Sequence, residues 1–158
     1  MKKTIIFWLL ILNVFSLISC DPSRYYYNYE WLNSNVKSIE LINYENKDAI
    51  ELFEQSDSVK PFDFSKMYVI DTMPEEQKSS FLFDFSKIEL LMVWRHLDSP
   101  KGKSVKINYN DGSFDIICYE VQFSCQYDID GNVIQLIGGG GGNQMKELVE
   151  RSFEQTAE

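Results

Sequence analysis

The side chains of this 158-residue chain that could carry chemistry are three cysteines, a single histidine, a carboxylate-rich turn and a run of glycines. A cysteine nucleophile needs a neighbouring base to form its thiolate. The only histidine, His96 in Trp94-Arg95-His96-Leu97-Asp98, lies in a different segment from Cys118 and Cys125, and nothing ties it to either. One histidine is also too few for a zinc site, which needs three or four ligands at close spacing. No Gly-x-Ser-x-Gly turn marks a serine nucleophile, and scattered carboxylates cannot be paired into an acid/base dyad from their order along a chain. The sequence therefore assigns no catalytic residue and no metal, and it calls for no cofactor.

Asp128, Asp130 and Asn132 alternate around Gly131, as acidic ligands do in a calcium loop. The spacing departs from an EF-hand, because glycine comes fourth and Gly139 stands where the bidentate glutamate belongs. A turn stabilised by short polar side chains explains the triplet better, with a weak exposed calcium site as the alternative. The glycines from Gly138 to Gly142 sit between a strand pattern and a helix pattern, where phosphate-binding loops occur. No Lys-Ser/Thr comes after them, and Asn143 interrupts a dinucleotide fingerprint. They are expected to connect, with Asn143 capping the C-terminal helix. Cys118 and Cys125 would come within bridging distance if the chain folded back near Tyr119 and Glu120. Free thiols buried in a sheet are the expected state, and a Cys118–Cys125 disulfide is the alternative.

The third cysteine, Cys20, has a different setting. Lys2 and Lys3 precede an apolar stretch from residue 4 to residue 18, broken only by Asn13 and Ser16. The stretch falls short of the roughly 20 apolar residues that cross a bilayer, and it has the order of an export signal. It ends in Leu17-Ile18-Ser19-Cys20, which resembles the lipobox of bacterial lipoproteins. The resemblance covers residues 1–20. It implies a signal peptide over 1–19, cleavage before Cys20, and diacylation of the Cys20 thiol. At about 0.8 kcal/mol per buried methylene, two or three acyl chains hold a protein firmly on a membrane. The implied location is the extracytoplasmic face of the cell membrane, with the membrane itself as the first partner.

Charge agrees with an anchor made of lipid. The leader holds two of the 15 basic residues and none of the 24 acidic ones, so the chain beyond it carries a net charge of about −11. Anionic lipid headgroups and nucleic acid both repel such a surface, and nucleic acid is excluded as a partner. Residues 20–34 join the lipidated cysteine to the body and are rich in aromatics: Tyr25, Tyr26, Tyr27, Tyr29 and Trp31. Read as a tether, they place an aromatic belt among the headgroups. Read as structure, they pack on the domain, and only Pro22 and Ser23 are linker.

Residues 35–158 have the length of one domain and contain no internal repeat. Val36, Ile39, Leu41 and Ile42 predict a strand over 36–45, and Met67 and Val69 a second one. Helical spacing of Ala49, Ile50, Leu52 and Phe53 predicts a helix over 47–56. Pro74 followed by Glu75 and Glu76 predicts a helix start, with Phe81, Leu82 and Phe85 on its inner face. The apolar run from Ile88 to Trp94 fits a buried strand or a continued helix equally well. Asp111-Gly112 and Asp130-Gly131 each predict a two-residue type I′ hairpin turn. The first would pair Tyr109 with Phe114, Ile107 with Ile116 and Val105 with Cys118; the second would pair Tyr127 with Ile134 and Cys125 with Leu136. Met145, Leu148, Val149 and Phe153 form one stripe of a C-terminal helix over 144–153.

The expected fold is thus a single small α+β domain, an antiparallel meander over about 103–137 packed by two or three helices. Without a catalytic motif, an acidic and aromatic-rich body fits a binding or interaction module with an unidentified protein partner. A structural or assembly lipoprotein of the envelope is the second expectation. A hydrolase is the third, and it would require a pocket holding polar groups with shifted pKa values.

Overall fold

In the computed structural model, the described residues are 24–25, 27–45, 59–91, 99–121, 123–139 and 141–153. Cys20, His96 and the helix expected over 47–56 lie outside them. Among the described residues, eight strands and three α-helices run in the order β1 (Arg24–Tyr25), α1 (Tyr29–Asn35), β2 (Val36–Tyr44), β3 (Met67–Thr72), α2 (Glu75–Phe85), β4 (Leu90–Leu91), β5 (Gly102–Tyr109), β6 (Phe114–Cys118), β7 (Phe123–Tyr127), β8 (Val133–Gly138) and α3 (Gly142–Phe153). Six strands form one antiparallel sheet in the order β3-β2-β5-β6-β7-β8, and β1 pairs with β4 apart from it. The α+β expectation is met, meander included. None of the helices among the described residues is long and apolar enough to cross a membrane.

Side chains alternate across a strand, so each strand feeds both faces of the sheet. On one face, Ile39, Leu41, Val105, Ile107, Ile117 and Ile137 meet Leu32 of α1, Phe81, Leu82 and Phe85 of α2, and Met145, Leu148, Val149 and Phe153 of α3. The opposite face carries Ile42, Tyr44, Phe114, Ile116, Cys118, Phe123, Cys125 and Tyr127, covered by Phe62. The Phe62 ring lies 5.0 to 5.3 Å from those of Tyr44, Phe64, Phe114 and Tyr127. These are favourable tilted and edge-on distances.

Three local expectations are corrected. In the first hairpin the pairs are Asn108↔Phe114, Ile107↔Asp115, Lys106↔Ile116, Val105↔Ile117 and Ser104↔Cys118, one residue away from the expected register. The loop is the three residues Asn110-Asp111-Gly112, closed by Tyr109 N–H donating to Ser113 O at 2.9 Å. A type I′ turn needs positive φ at both central residues, but only Gly112 (φ +90°) is positive. Asp111 instead turns its carboxylate back to the Ser113 N–H at 2.9 Å and hydroxyl at 2.6 Å. The second hairpin repeats this solution, with Asp128 N–H donating to Asn132 O and Gly131 at φ +86°. Cys125↔Leu136 pairs as expected, while Tyr127 faces Val133 and not Ile134 because a bulge intervenes.

The second correction concerns the aromatic segment. Tyr27 and Leu32 are core residues, and the Tyr27 ring lies 4.8 Å from Phe85. Tyr29 meets Phe83 edge-on at 5.4 Å and reaches Ser79 Oγ at 2.9 Å. The packed structure therefore reaches back to β1 at Arg24, so the domain starts well before residue 35, and Tyr27 and Tyr29 follow the packing reading of the segment. Third, α3 begins at Gly142, so Asn143 lies within its first turn and does not cap it. Pro74 likewise stands at the N-cap of α2, immediately before the helical residues.

Candidate functional site

A row of register partners crosses four strands on the helix-covered face: Ile107, Asp115, Gln126 and Gln135. Direct cross-strand partners point to the same side of a sheet, so these side chains stand in line. The helices cover the Ile107 end of that row. Toward β8 their cover stops, and Gln126 is half-buried and Gln135 exposed. The gap is a cleft of about 340 Å³ lined by Tyr27, Asn28, Trp31, Tyr109, Asp115, Gln126, Gln135 and Ile137. That volume is at the small end of ligand sites.

Helix α1 builds one wall. The Asn28 side chain accepts from Trp31 N–H at 2.8 Å and caps the helix, which fixes where Trp31 leaves the backbone. The Trp31 ring is 47% exposed and lies 5.2 Å from the ring of Tyr109. Tyr27, just before the helix, and Tyr109, at the end of β5, both donate their hydroxyls to Asp115 Oδ2 at 2.5 Å.

Asp115 is the unusual group. It is 1% exposed, and its Oδ1 has no hydrogen-bond partner among the described residues. Burial pushes its carboxyl up from the usual 3.8 to about 6, against the two tyrosine hydrogen bonds that favour the charged form. Near neutral pH the fold thus holds a carboxylate out of water with one oxygen uncompensated. Such groups are rare in folded proteins and concentrate at functional sites.

The residues singled out from the sequence lie elsewhere. Cys118 is opposite Phe123 and Cys125 opposite Ile116, so the two thiols share a face on neighbouring strands but stand diagonally. Diagonal partners are roughly 7–8 Å apart, too far for a bridge without backbone movement. Both are free and buried. Burial raises the Cys118 thiol to about 11 and the Cys125 thiol to about 12, so neither offers a thiolate at neutral pH. They face away from the cleft, on the Phe62 side of the sheet.

The Asp128, Asp130 and Asn132 triplet is a turn. Asp128 Oδ1 accepts from the Asp130 N–H at 3.0 Å and the Asn132 N–H at 2.8 Å, and Oδ2 accepts from Asn132 Nδ2 at 3.0 Å. These bonds, with Asn132 first, hold the Asp128 carboxyl below its usual range. The carboxylate is thus already satisfied by its own loop, and no group of metal-binding side chains occurs among the described residues. These bonds are those of the turn reading of the triplet.

No motif marks the cleft residues, and the expected hairpin register places Asp115 away from them. With a two-residue loop, Asp115 falls on the opposite side of β6 from where it stands, next to Asn108 and Lys106. The signal that could have found it is a carboxylate inside Phe114-Asp115-Ile116-Ile117-Cys118, a strand buried along its whole length. A charged side chain there must lie in the interior whichever face it takes. Comparison with family models, with curated proteins and with solved structures found no match for this chain.

Proposed function

We propose that this chain is a lipid-anchored binding module of the extracytoplasmic face, held by Cys20 and seating a small ligand or a single side chain of a partner protein in the cleft over Asp115. The observation that carries the binding reading is the buried Asp115 carboxyl, with an unpartnered oxygen, on the lining of an open cleft. A fold that sought stability alone would place an apolar or amide side chain there. Binding fits better than hydrolysis because Asp115 is the only charged residue among those described that line the cleft, leaving no second group to share acid/base work. The thiols, which could have served as nucleophiles, are held protonated on the other face.

The anchor rests on the lipobox resemblance of residues 1–20, and the acidic charge of the body leaves attachment to acyl chains. Two measurements test the reading. Wild-type chain is expected to partition into the detergent phase and to incorporate labelled palmitate, while Cys20→Ala stays aqueous and unlabelled; an unlabelled wild type removes the anchor. For the cleft, the full chain in nonionic detergent is titrated with n-butylammonium, butyrate and glucose while amide resonances are followed by NMR. Movement of the Gln126 and Gln135 side-chain amides with at least one probe is expected, and silence with all three defeats the binding site.

A further inference from the structure

The chemistry of the cleft lining selects among ligand classes. Among the described residues no Lys, Arg or His lines it, so an anion would enter a site that offers one buried negative charge and no positive one. A neutral polyol could donate hydrogen bonds to Asp115 but would leave the charge itself uncompensated in a poorly solvated place. A cation removes that penalty directly, because an opposite charge close to a buried carboxylate favours its ionised form. The rest of the lining suits a cation carried on an alkyl stem. Gln126, Gln135 and Asn28 carry amide oxygens, and the exposed ring of Trp31 beside Tyr109 offers an aromatic face to the charge. At about 340 Å³ the cleft accommodates one such group and its stem. The chain's formal net charge of −9 draws cations toward it from a distance.

We propose that the cleft over Asp115 receives a primary alkylammonium group, carried by a free amine or by a lysine side chain, with the Asp115 carboxylate as its counter-charge. This rests on the binding role proposed for the cleft and specifies its ligand. The half-buried Gln126 side chain lines the cleft directly across the register from Asp115. Among the described residues the titratable groups facing Asp115 are the hydroxyls of Tyr27 and Tyr109, which donate to its other oxygen. The remaining lining residues, Asn28, Trp31, Gln126, Gln135 and Ile137, carry no ionisable group. Binding therefore tracks the ionisation of Asp115, whose carboxyl is raised to about 6.

The test titrates the full chain in nonionic detergent with n-butylammonium, pentane-1,5-diammonium, Nα-acetyl-lysine N-methylamide, butan-1-ol and glucose, at pH 7.5 and pH 5. The ammonium probes are expected to bind about tenfold more weakly at pH 5, as a site with a pKa near 6 loses most of its charged form. Asp115→Asn is expected to weaken them by more than about 20-fold. The pH comparison uses wild-type protein, so it stands even if that variant does not fold. Tighter binding of the lysine derivative assigns the group to a partner protein, and tighter binding of the diammonium assigns it to a free amine; either upholds the ammonium site. Butan-1-ol or glucose binding as tightly as the ammonium probes overturns the inference while leaving a binding cleft in place. No shift at the cleft with any probe overturns both.

Discussion

Asp115 is held by two tyrosine hydroxyls through one oxygen and by nothing through the other, and burial outweighs those two bonds in setting its pKa. The folded chain binds this proton more tightly than the unfolded chain does. Between about pH 4 and pH 6 the folded state therefore carries more protons, and the Asp115 contribution to stability falls as pH rises through that window, then levels off. A shift from 3.8 to about 6 corresponds to about 3 kcal/mol. Asp63, Asp111 and Asp128, held below their usual range by Ser65, Ser113 and Asn132, act in the opposite direction at more acid pH. The difference between wild type and Asp115→Asn isolates the one group. Urea unfolding from pH 4 to pH 7.5 should show the variant gaining stability relative to wild type as pH rises, and parallel curves would mean that Asp115 titrates normally. In an otherwise wild-type chain, Tyr27→Phe and Tyr109→Phe should each raise the carboxyl further, because each removes a bond to the charged form; this is read from the Asp115 carboxyl carbon shift against pH.

At the scale of elements, legibility depended on the number of buried faces. Helices α2 and α3 bury one side each; the stripe Met145, Leu148, Val149, Phe153 was readable because the rest of α3 is polar, and Phe81, Leu82, Phe85 were readable from their spacing after the Pro74-Glu75-Glu76 start, although Phe83 stays exposed. Strand β6 buries both faces and β7 nearly so, so alternation there carried no register signal and the alternating apolar residues of β5 could be matched to β6 in either register. Loop geometry decided it. Gly131 shows how tightly: at φ +86° an added Cβ would lie 2.7 Å from the Phe62 carbonyl oxygen, while the Phe62 N–H donates to Gly131 O at 2.7 Å. Phe62 is the lid of the aromatic core, so turn and core are coupled. Gly131→Ala should cost about 2–3 kcal/mol, from the strained backbone and the close approach together. A denaturation midpoint within error of wild type would show that the loop relaxes freely.

For the molecule as a whole, the sheet separates two cores with different roles. Among the described residues the helix side is incomplete over β7 and β8, and the cleft is that incompleteness; the Phe62 side closes over the two thiols. Cys118 and Cys125 are fully buried, so their reactivity reports opening of the sheet itself. In the Cys20→Ala chain, a thiol-specific disulfide reagent should titrate no cysteine under native conditions and two after denaturation. Native reaction at either thiol would place a low-energy opening on the Phe62 side.

By itself the sequence determined the fold class, the amphipathic C-terminal helix, the start of α2 and the places where the chain turns. Those properties depend on composition and periodicity within a short window, which a linear reading contains. It also supplied the lipobox resemblance that the proposed anchor at Cys20 rests on, because that signal is local. Only the tertiary structure decided what lies opposite what. It put Asp115 on the helix side, brought Tyr27 against it from across the chain, and left Cys118 and Cys125 diagonal. These outcomes arise from hairpin loop length and from which face a helix leaves uncovered. Both are set by competition between distant contacts, to which the local pattern of residues is blind.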